Sequence, residues 1–412
     1  MFELSNELKY RAMRRKVHDD KYSIVGVEIK NRRMNSLQTL EALSQDVCSV
    51  SYLCKVEQNK IEPNKAFLRE LCSRLELSDD KVDYLFELRD VIIEMIHAYV
   101  IGDVSFIDMC CEHGNGFENY RFKIMLLINN LAKRDFDLAY DNMMNLMPLL
   151  SNMGNFDLAI FSMFSAITLF YRFSFKEALD CLMYLDDFNI CDDIKVLKGV
   201  MIFKLHFALN KSDTPYWYDK AKMLLFEHGY YNMIDELKYA LCLYYIKNDC
   251  VDTYELIKNR ITNRIDRNSL DGINAVMNDN NLTGLLNFSD NELNEFAKTL
   301  KMVINEPKSI ENLLANKPNY YVIGFDYVLL EYLSFESYKD RLDYIFKVGL
   351  PNAYACGDDY LKRYFIREVA RMPIHIRKNR AIVRAFILAY GKDFSIVDAE
   401  VFKYDDEEDK IY

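Results

Sequence analysis

Residues that turn a chain sharply are scarce here: 13 Gly and 7 Pro among 412 residues. Sandwiches and doubly wound sheets need many tight turns, so this scarcity favours long helices with short connections. Apolar periodicity agrees. Leu68, Leu71, Cys72 and Leu75 recur at i, i+3, i+4 and i+7, which lines one face of a helix. The expectation is an all-α chain. At 412 residues it exceeds one simple core, so two or more domains are expected.

Membrane insertion has little support. The longest apolar run, Leu158 to Tyr171, lies between Asp157 and Arg172 and is too short to span a bilayer. The opening Met-Phe-Glu-Leu-Ser-Asn-Glu has no signal-peptide pattern. Ten cysteines stand at 48, 54, 72, 110, 111, 181, 191, 242, 250 and 356, with no Cys-x-x-Cys pair. They read as small buried hydrophobes in a reducing cytoplasm. The vicinal Cys110-Cys111 leaves two readings, shielded packing or a redox device.

Net charge is −11, but unevenly spread. Residues 1–75 hold 14 Lys/Arg and 10 Asp/Glu, a net +4, and the remainder carries −15. A mildly basic head on an acidic body suits a nucleic-acid reader joined to a regulatory domain. The excess is modest, so affinity would need two heads, hence a homodimer.

The head carries the most informative pattern. A first helix is expected over 22–36, with Val25, Ile29 and the stem of Arg33 facing inward and Lys30 and Arg32 outward. Two short helices follow, 39–45 and 50–58, around a turn of about three residues. Thr39 and Ser49 stand where N-cap hydroxyls belong. Leu43, Val47, Leu53 and Val56 supply contacts that fix the angle between the helices. Residues 59–64 form a loop; Pro63 stops the preceding helix, and Asn64 caps the next. Ser78-Asp79-Asp80 then opens a long helix to about Tyr99, with Val82, Leu85, Ile92, Ile96 and Tyr99 on one side. It is the candidate connector between domains. Ahead of all this, residues 3–17 form a basic amphipathic stretch, read as a phosphate-touching arm or a solvated helix.

Beyond residue 118 the chain repeats. Phe136-Asp-Leu-Ala139, Phe175-Lys-Glu-Ala178 and Tyr218-Asp-Lys-Ala221 share an aromatic-x-x-Ala pattern, 39 and 43 residues apart. Each is expected to open a helix preceded by another of 12–18 residues. The alanine lets two helices approach, and the aromatic fills the gap to the next pair, as a helical-hairpin array requires. Further hairpins are expected at 231–262, 292–315, 320–348 and 358–391, with loops at 278–281 and 316–319. The run Asp405-Asp406-Glu407-Glu408-Asp409 reads as a solvated acidic tail. The domain plan is 1–77, a helix-turn-helix head with a basic extension; 78–117, connector helix and linker; 118–400, helical repeats for regulation and dimerisation; 401–412, the tail.

The run from Ser49 through Val50, Ser51, Tyr52, Leu53, Cys54, Lys55, Val56, Glu57, Gln58, Asn59 and Lys60 to Pro63 resembles the Xre/Cro-type helix-turn-helix pattern, Ser-x-x-x-Ile-Ser-Arg-Ile-Glu-Asn-Gly-x-x-x-Pro. Coupled to repeats that look tetratricopeptide-like, the layout resembles the peptide-pheromone-responsive, Rgg/PlcR-type regulators of Gram-positive bacteria. The sequence departs from the pattern in three places. Leu40 stands where Gln is usual, Gln38 where an apolar residue is usual, and Asn59 where Gly is usual. The resemblance implies double-stranded DNA as a partner, with Val50, Ser51, Tyr52 and Lys55 facing the major groove and Thr39, Ser49, Gln58 and Lys60 on phosphates. It also implies an ion pair between Arg33 and Glu57. For the array it implies quorum-sensing control by a short signalling peptide, held through asparagine side chains; Asn129, Asn130, Asn142 and Asn145 are the candidates. Tyr216 and Trp217 are candidates either for lining that groove or for core packing.

Residues for enzymatic chemistry are not apparent. Neither a phosphate-cradling glycine loop, a Gly-x-Ser-x-Gly elbow nor a His-Glu-x-x-His helix occurs. His113 beside Cys110, Cys111 and Glu112 does not place three ligands on one face, so neither metal nor other cofactor is expected. The leading reading is a cytoplasmic, ligand-controlled, DNA-binding transcription regulator. The alternative is a protein-interaction adaptor whose head no longer reads DNA. A weaker third is a peptide-controlled regulator of a phosphatase or kinase.

Overall fold

A computed structural model describes residues 23–58, 60–61, 64–117, 119–172, 174–183, 185, 191–248, 250–277, 284–306, 325–335, 337–356 and 359–372. Every regular element among them is helical, so the chain is all-α. It divides into two compact units, residues 1–202 and 203–412. The expected N-terminal arm at 3–17, Asn59 and Pro63, the loops at 278–281 and 316–319, the second half of the hairpin at 358–391 and the acidic tail lie outside the described residues.

The first unit opens with α1 (Ser23–Asn35), α2 (Leu40–Ser44), α3 (Val50–Glu57), α4 (Lys65–Arg74) and the long α5 (Asp79–Ile101). Local chemistry sets their starts. The N–H of Ala42 donates to Thr39 Oγ1 at 3.1 Å, that of Tyr52 to Ser49 Oγ at 3.1 Å and that of Ala66 to Asn64 Oδ1 at 2.9 Å. Ser78 begins α5 without a side-chain cap bond. Val25, Ile29, Leu43, Leu53, Val56, Leu68, Leu71, Cys72 and Leu75 are buried together as the head's core. Val47, expected among them, is only half-buried. Ile92 and Ile96 of α5 are fully buried.

The stretch after α5, expected as linker, holds a further helix, α6 (Val104–His113), capped by Asp103. Its apolar set is Ile107, Cys110 and Cys111, at i, i+3 and i+4, and all three are buried. Then come α7 (Tyr120–Ala132), α8 (Phe136–Leu146), a 3₁₀ turn (Met147–Asn152), α9 (Asn155–Tyr171) and α10 (Phe175–Met183). Consecutive helices pack as pairs, α7 on α8 and α9 on α10, with α9 also against α8 and α7. Residues 156–170 of α9 are buried on every side, as a helix apolar all round must be. The expected close approaches are present. Ala139 and Ala178 are fully buried, Phe136 stacks on Tyr171 at 4.1 Å between centroids, and Phe175 meets Phe170.

The division between units falls within α11 (Asp192–Ala208). The second unit continues with α12 (Thr214–Glu227), α13 (Asn232–Lys247), α14 (Val251–Lys258), α15 (Arg264–Met277), α16 (Glu295–Asn305), α17 (Phe325–Ser334), α18 (Tyr338–Tyr344), α19 (Leu350–Cys356) and α20 (Asp359–Arg371). Ala221 is fully buried, like its counterparts. Tyr218, however, does not open its helix: α12 begins at Thr214, with Pro215 in the first turn, where its missing N–H costs nothing. Helix α15 falls between two expected hairpins and was not itself expected. It packs tightly: a Cβ on Gly272 would stand 2.3 Å from Leu285 Cδ2.

Candidate nucleic-acid interface

Helix α3 has two unlike faces. Leu53, Val56 and Glu57 are buried on one side. Ser51, Lys55 and Gln58 are exposed on the other. On the buried side Arg33 of α1 grips Glu57 with two parallel bonds, Nε to Oε1 at 2.7 Å and Nη2 to Oε2 at 2.9 Å. Its remaining Nη1 donates to the Gln38 carbonyl at 2.8 Å. The Glu57 carboxylate beside it raises the Arg33 pKa further, against the lowering effect of burial. This is the ion pair implied by the resemblance, and it fixes the pitch of α3 against α1.

The other residues singled out fall into three roles. Thr39 and Ser49 are exposed, with their hydroxyls engaged as helix caps. Ser51, Lys55 and Lys60 are exposed and make no side-chain hydrogen bond or ion pair within the described residues, while Gln58 turns its amide back to Cys54 Sγ at 3.2 Å. Val50 is 36% exposed at the first turn of α3. Tyr52 differs from expectation. It is half-buried, and its hydroxyl accepts the Asn64 N–H at 2.8 Å. Its ring meets that of Phe67 edge-on, with centroids 5.9 Å apart. Tyr52 thus braces α3 against the start of α4. Phe67 is 42% exposed beside it. The sequence pattern pointed to neither Phe67 nor this contact, because both depend on how the chain returns after the loop.

A second tie joins α1 to the start of the repeats. Glu28 is completely buried. It accepts Arg32 Nε at 2.7 Å and Asn119 Nδ2 at 3.0 Å. Asn119 Oδ1 in turn accepts the Phe122 N–H at 3.0 Å and so caps α7. Arg32 also donates through Nη2 to the Gly116 carbonyl. Expected to face outward, Arg32 is instead drawn in by the buried carboxylate, while Lys30 is exposed.

The asparagine set sits on α7 and α8 at different depths. Asn129 is buried, with Nδ2 donating to Asp108 Oδ1 of α6 at 3.2 Å, so its side chain belongs to the packing of α6 on α7. Lys133 and Asn129 hold the Asp108 carboxyl below its ordinary pKa. Asn130 and Asn142 are half-buried and Asn145 is exposed. Trp217 is half-buried, its indole donating to Asp213 Oδ2 at 3.1 Å; Tyr216 is 55% exposed. Cys110 and Cys111 are buried, and loss of water pushes their thiols up to about 11 and about 12. That is the shielded-packing reading. His113 Nδ1 lies 2.8 Å from the Met109 carbonyl, and no group of three His, Cys, Asp or Glu among the described residues could hold a metal ion. No described helix is long and apolar enough to cross a membrane.

No protein-family model matches the chain, and no curated protein matches it. Two solved structures are similar. One is PlcR of Bacillus thuringiensis, in complex with the peptide PapR7 and DNA: 14% identity, 60% of this chain and 94% of that one covered, TM-score 0.33. The other is the apo form of the competence regulator ComR of Streptococcus vestibularis: 14% identity, 72% and 99% covered, TM-score 0.31.

Proposed function

We propose that the chain is a DNA-binding transcription regulator. Its head reads duplex DNA as a homodimer, and its helical repeats bind a controlling ligand, a short peptide in the first instance. The observation that carries this is α3. It is short, capped at Ser49 and pinned from behind by Arg33–Glu57. It presents Ser51 and Lys55 outward with no side-chain partner among the described residues. A helix held at a fixed pitch with polar and cationic side chains free along its outer face is what major-groove reading requires. Lys60 and Thr39, both exposed, are the candidates for phosphate contacts.

The test is fluorescence anisotropy of the full chain against duplexes tiled from the DNA upstream of its own coding sequence, at two salt concentrations. Expected is tight binding to one tile that weakens steeply with salt, because each neutralised phosphate releases about one counterion. Replacing Ser51 and Lys55 together by Ala is expected to abolish preference for that tile. Unchanged preference would remove α3 from the reading role.

A second reading, a protein-interaction adaptor, draws on the acidic net charge and on exposed Met223, Phe226 and Tyr231 in the second unit. It predicts no specific tile and no salt slope.

A further inference from the structure

The outer surface of the head is not uniformly polar. Ser51, Lys55 and Gln58 form its central stripe, and an apolar group stands at either edge. On the helical wheel, Val50 lies about 100° to one side of Ser51, and Tyr52 about 100° to the other. Val50 is 36% exposed. On the opposite edge Phe67 is 42% exposed, and the Tyr52 ring holds it in place. The Tyr52 hydroxyl accepts the Asn64 N–H, which anchors the ring at that edge, and the exposed group beside it is the phenyl ring of Phe67.

Two exposed apolar groups beside cationic side chains fit one kind of surface well. Lys55 and Lys60 are exposed without ion pairs among the described residues, which calls for an anionic partner. In the major groove of DNA the one apolar group among the base edges is the C5-methyl of thymine. Resting on the DNA-reading role of α3, we propose that Val50 and Phe67 are specificity-determining residues that each pack on a thymine methyl, at two separate positions of every half-site, with the polar stripe reading between them. Phe67 thereby extends the reading surface beyond α3 to the first turn of α4.

The test uses the full chain and a duplex enriched from a randomised 30-base-pair library. Each thymine of that duplex is replaced in turn by uracil, which removes only the methyl group. Expected are two thymine positions per half-site at which uracil weakens binding about three- to fivefold, the value of one buried methyl. The variant Val50→Ala is expected to erase the penalty at one of them and Phe67→Ala at the other. Because both side chains are on the surface and the uracil change lies in the DNA, folding does not cloud the result; thermal melts of both variants check it. A flat uracil scan on an enriched duplex would overturn the methyl contacts and leave DNA reading intact. Penalties that persist in both variants would overturn the assignment to these residues. A library that fails to enrich would overturn the DNA-reading role itself, and with it this inference.

Discussion

Asn119 does two things at once, and a one-atom change separates them. Its Oδ1 caps α7, and its Nδ2 donates to the buried carboxylate of Glu28. The change Asn119→Asp keeps an oxygen for the cap and replaces the donor by a second carboxylate about 3 Å from the first. Only one of the two carboxylates can pair with the single Arg32 guanidinium already held by Glu28, so the other takes up a proton in the buried site. That proton then restores a donor between them. At pH 7 the cost is about three pH units of protonation for a carboxyl of ordinary pKa near 4, at 1.36 kcal/mol each, or about 4 kcal/mol. The folded variant holds a proton that the unfolded chain releases above pH 4, so its stability falls as pH rises. Toward pH 5 the deficit should shrink to about 1.4 kcal/mol. The control Asn119→Ala loses both the Glu28 bond and the cap, together about 2–5 kcal/mol, without adding a second carboxylate. Amide exchange in α1 and α7 of the full chain, corrected for intrinsic rates, reads the local opening free energy at both pH values. A deficit of equal size at pH 5 and pH 7, or none in α1, would refute the reasoning.

Three further outcomes are expected. Glu57→Ala leaves Arg33 without its carboxylate in a site where the two side chains are 13% and 5% exposed; α3 should open about 2–4 kcal/mol more easily, and unchanged exchange protection over 50–58 would contradict this. With iodoacetamide at pH 8, the exposed Cys250 should alkylate in the native protein, whereas Cys110 and Cys111, their thiols raised to about 11 and about 12, should react only in urea; native labelling at either would show that α6 is not packed as described. Burial outweighs the Asp213 carboxylate beside His206 and lowers the His206 pKa. The folded state therefore binds fewer protons here, and stability should fall as pH drops below the ordinary value near 6.5; an NMR titration midpoint above 6.5 would reverse the sign.

What the sequence revealed follows a physical line between local and tertiary causes. The caps Thr39, Ser49 and Asn64 were legible because a hydroxyl or amide reaches an N–H two or three residues on and needs nothing else. The buried alanines 139, 178 and 221 were legible because only a small residue recurs there. The start of α12 was not: the motif marks where helices touch, while Pro215 marks where this one begins. Helix α6 was hidden because its buried stripe is only three residues long, Ile107, Cys110 and Cys111, within a ten-residue helix. Helix α15 was hidden because Arg264, Asp266, Arg267 and Asn268 dilute the stripe of Leu270, Ile273 and Val276. Within the candidate interface, Ser51 and Lys55 face outward as the pattern implies. The bracing role of Tyr52, the exposure of Phe67 and the tie of Asn129 to Asp108 each depend on a neighbour distant in sequence. A single pattern does not carry that information.

Helix α1 carries both ties of the head within six residues. Glu28 and Arg32 face the cap of α7, and Arg33 faces α3. A 13-residue helix packed on both sides moves as a rod, so a shift at the first turn of α7 should reach α3 through α1 rather than fade in a loop. Coupling of this kind is reciprocal: whatever state DNA favours at α3 it must also favour at α7. Saturating the full chain with its selected duplex should therefore slow amide exchange in α3 and also over 120–124. In Asn119→Ala the same duplex should still slow α3 but leave 120–124 unchanged, since the bridge to Glu28 is gone. Spatial adjacency alone does not establish coupling; the difference between the parent protein and Asn119→Ala does. If the duplex slows α3 in the parent protein without touching 120–124, the tie holds the head in place but transmits nothing.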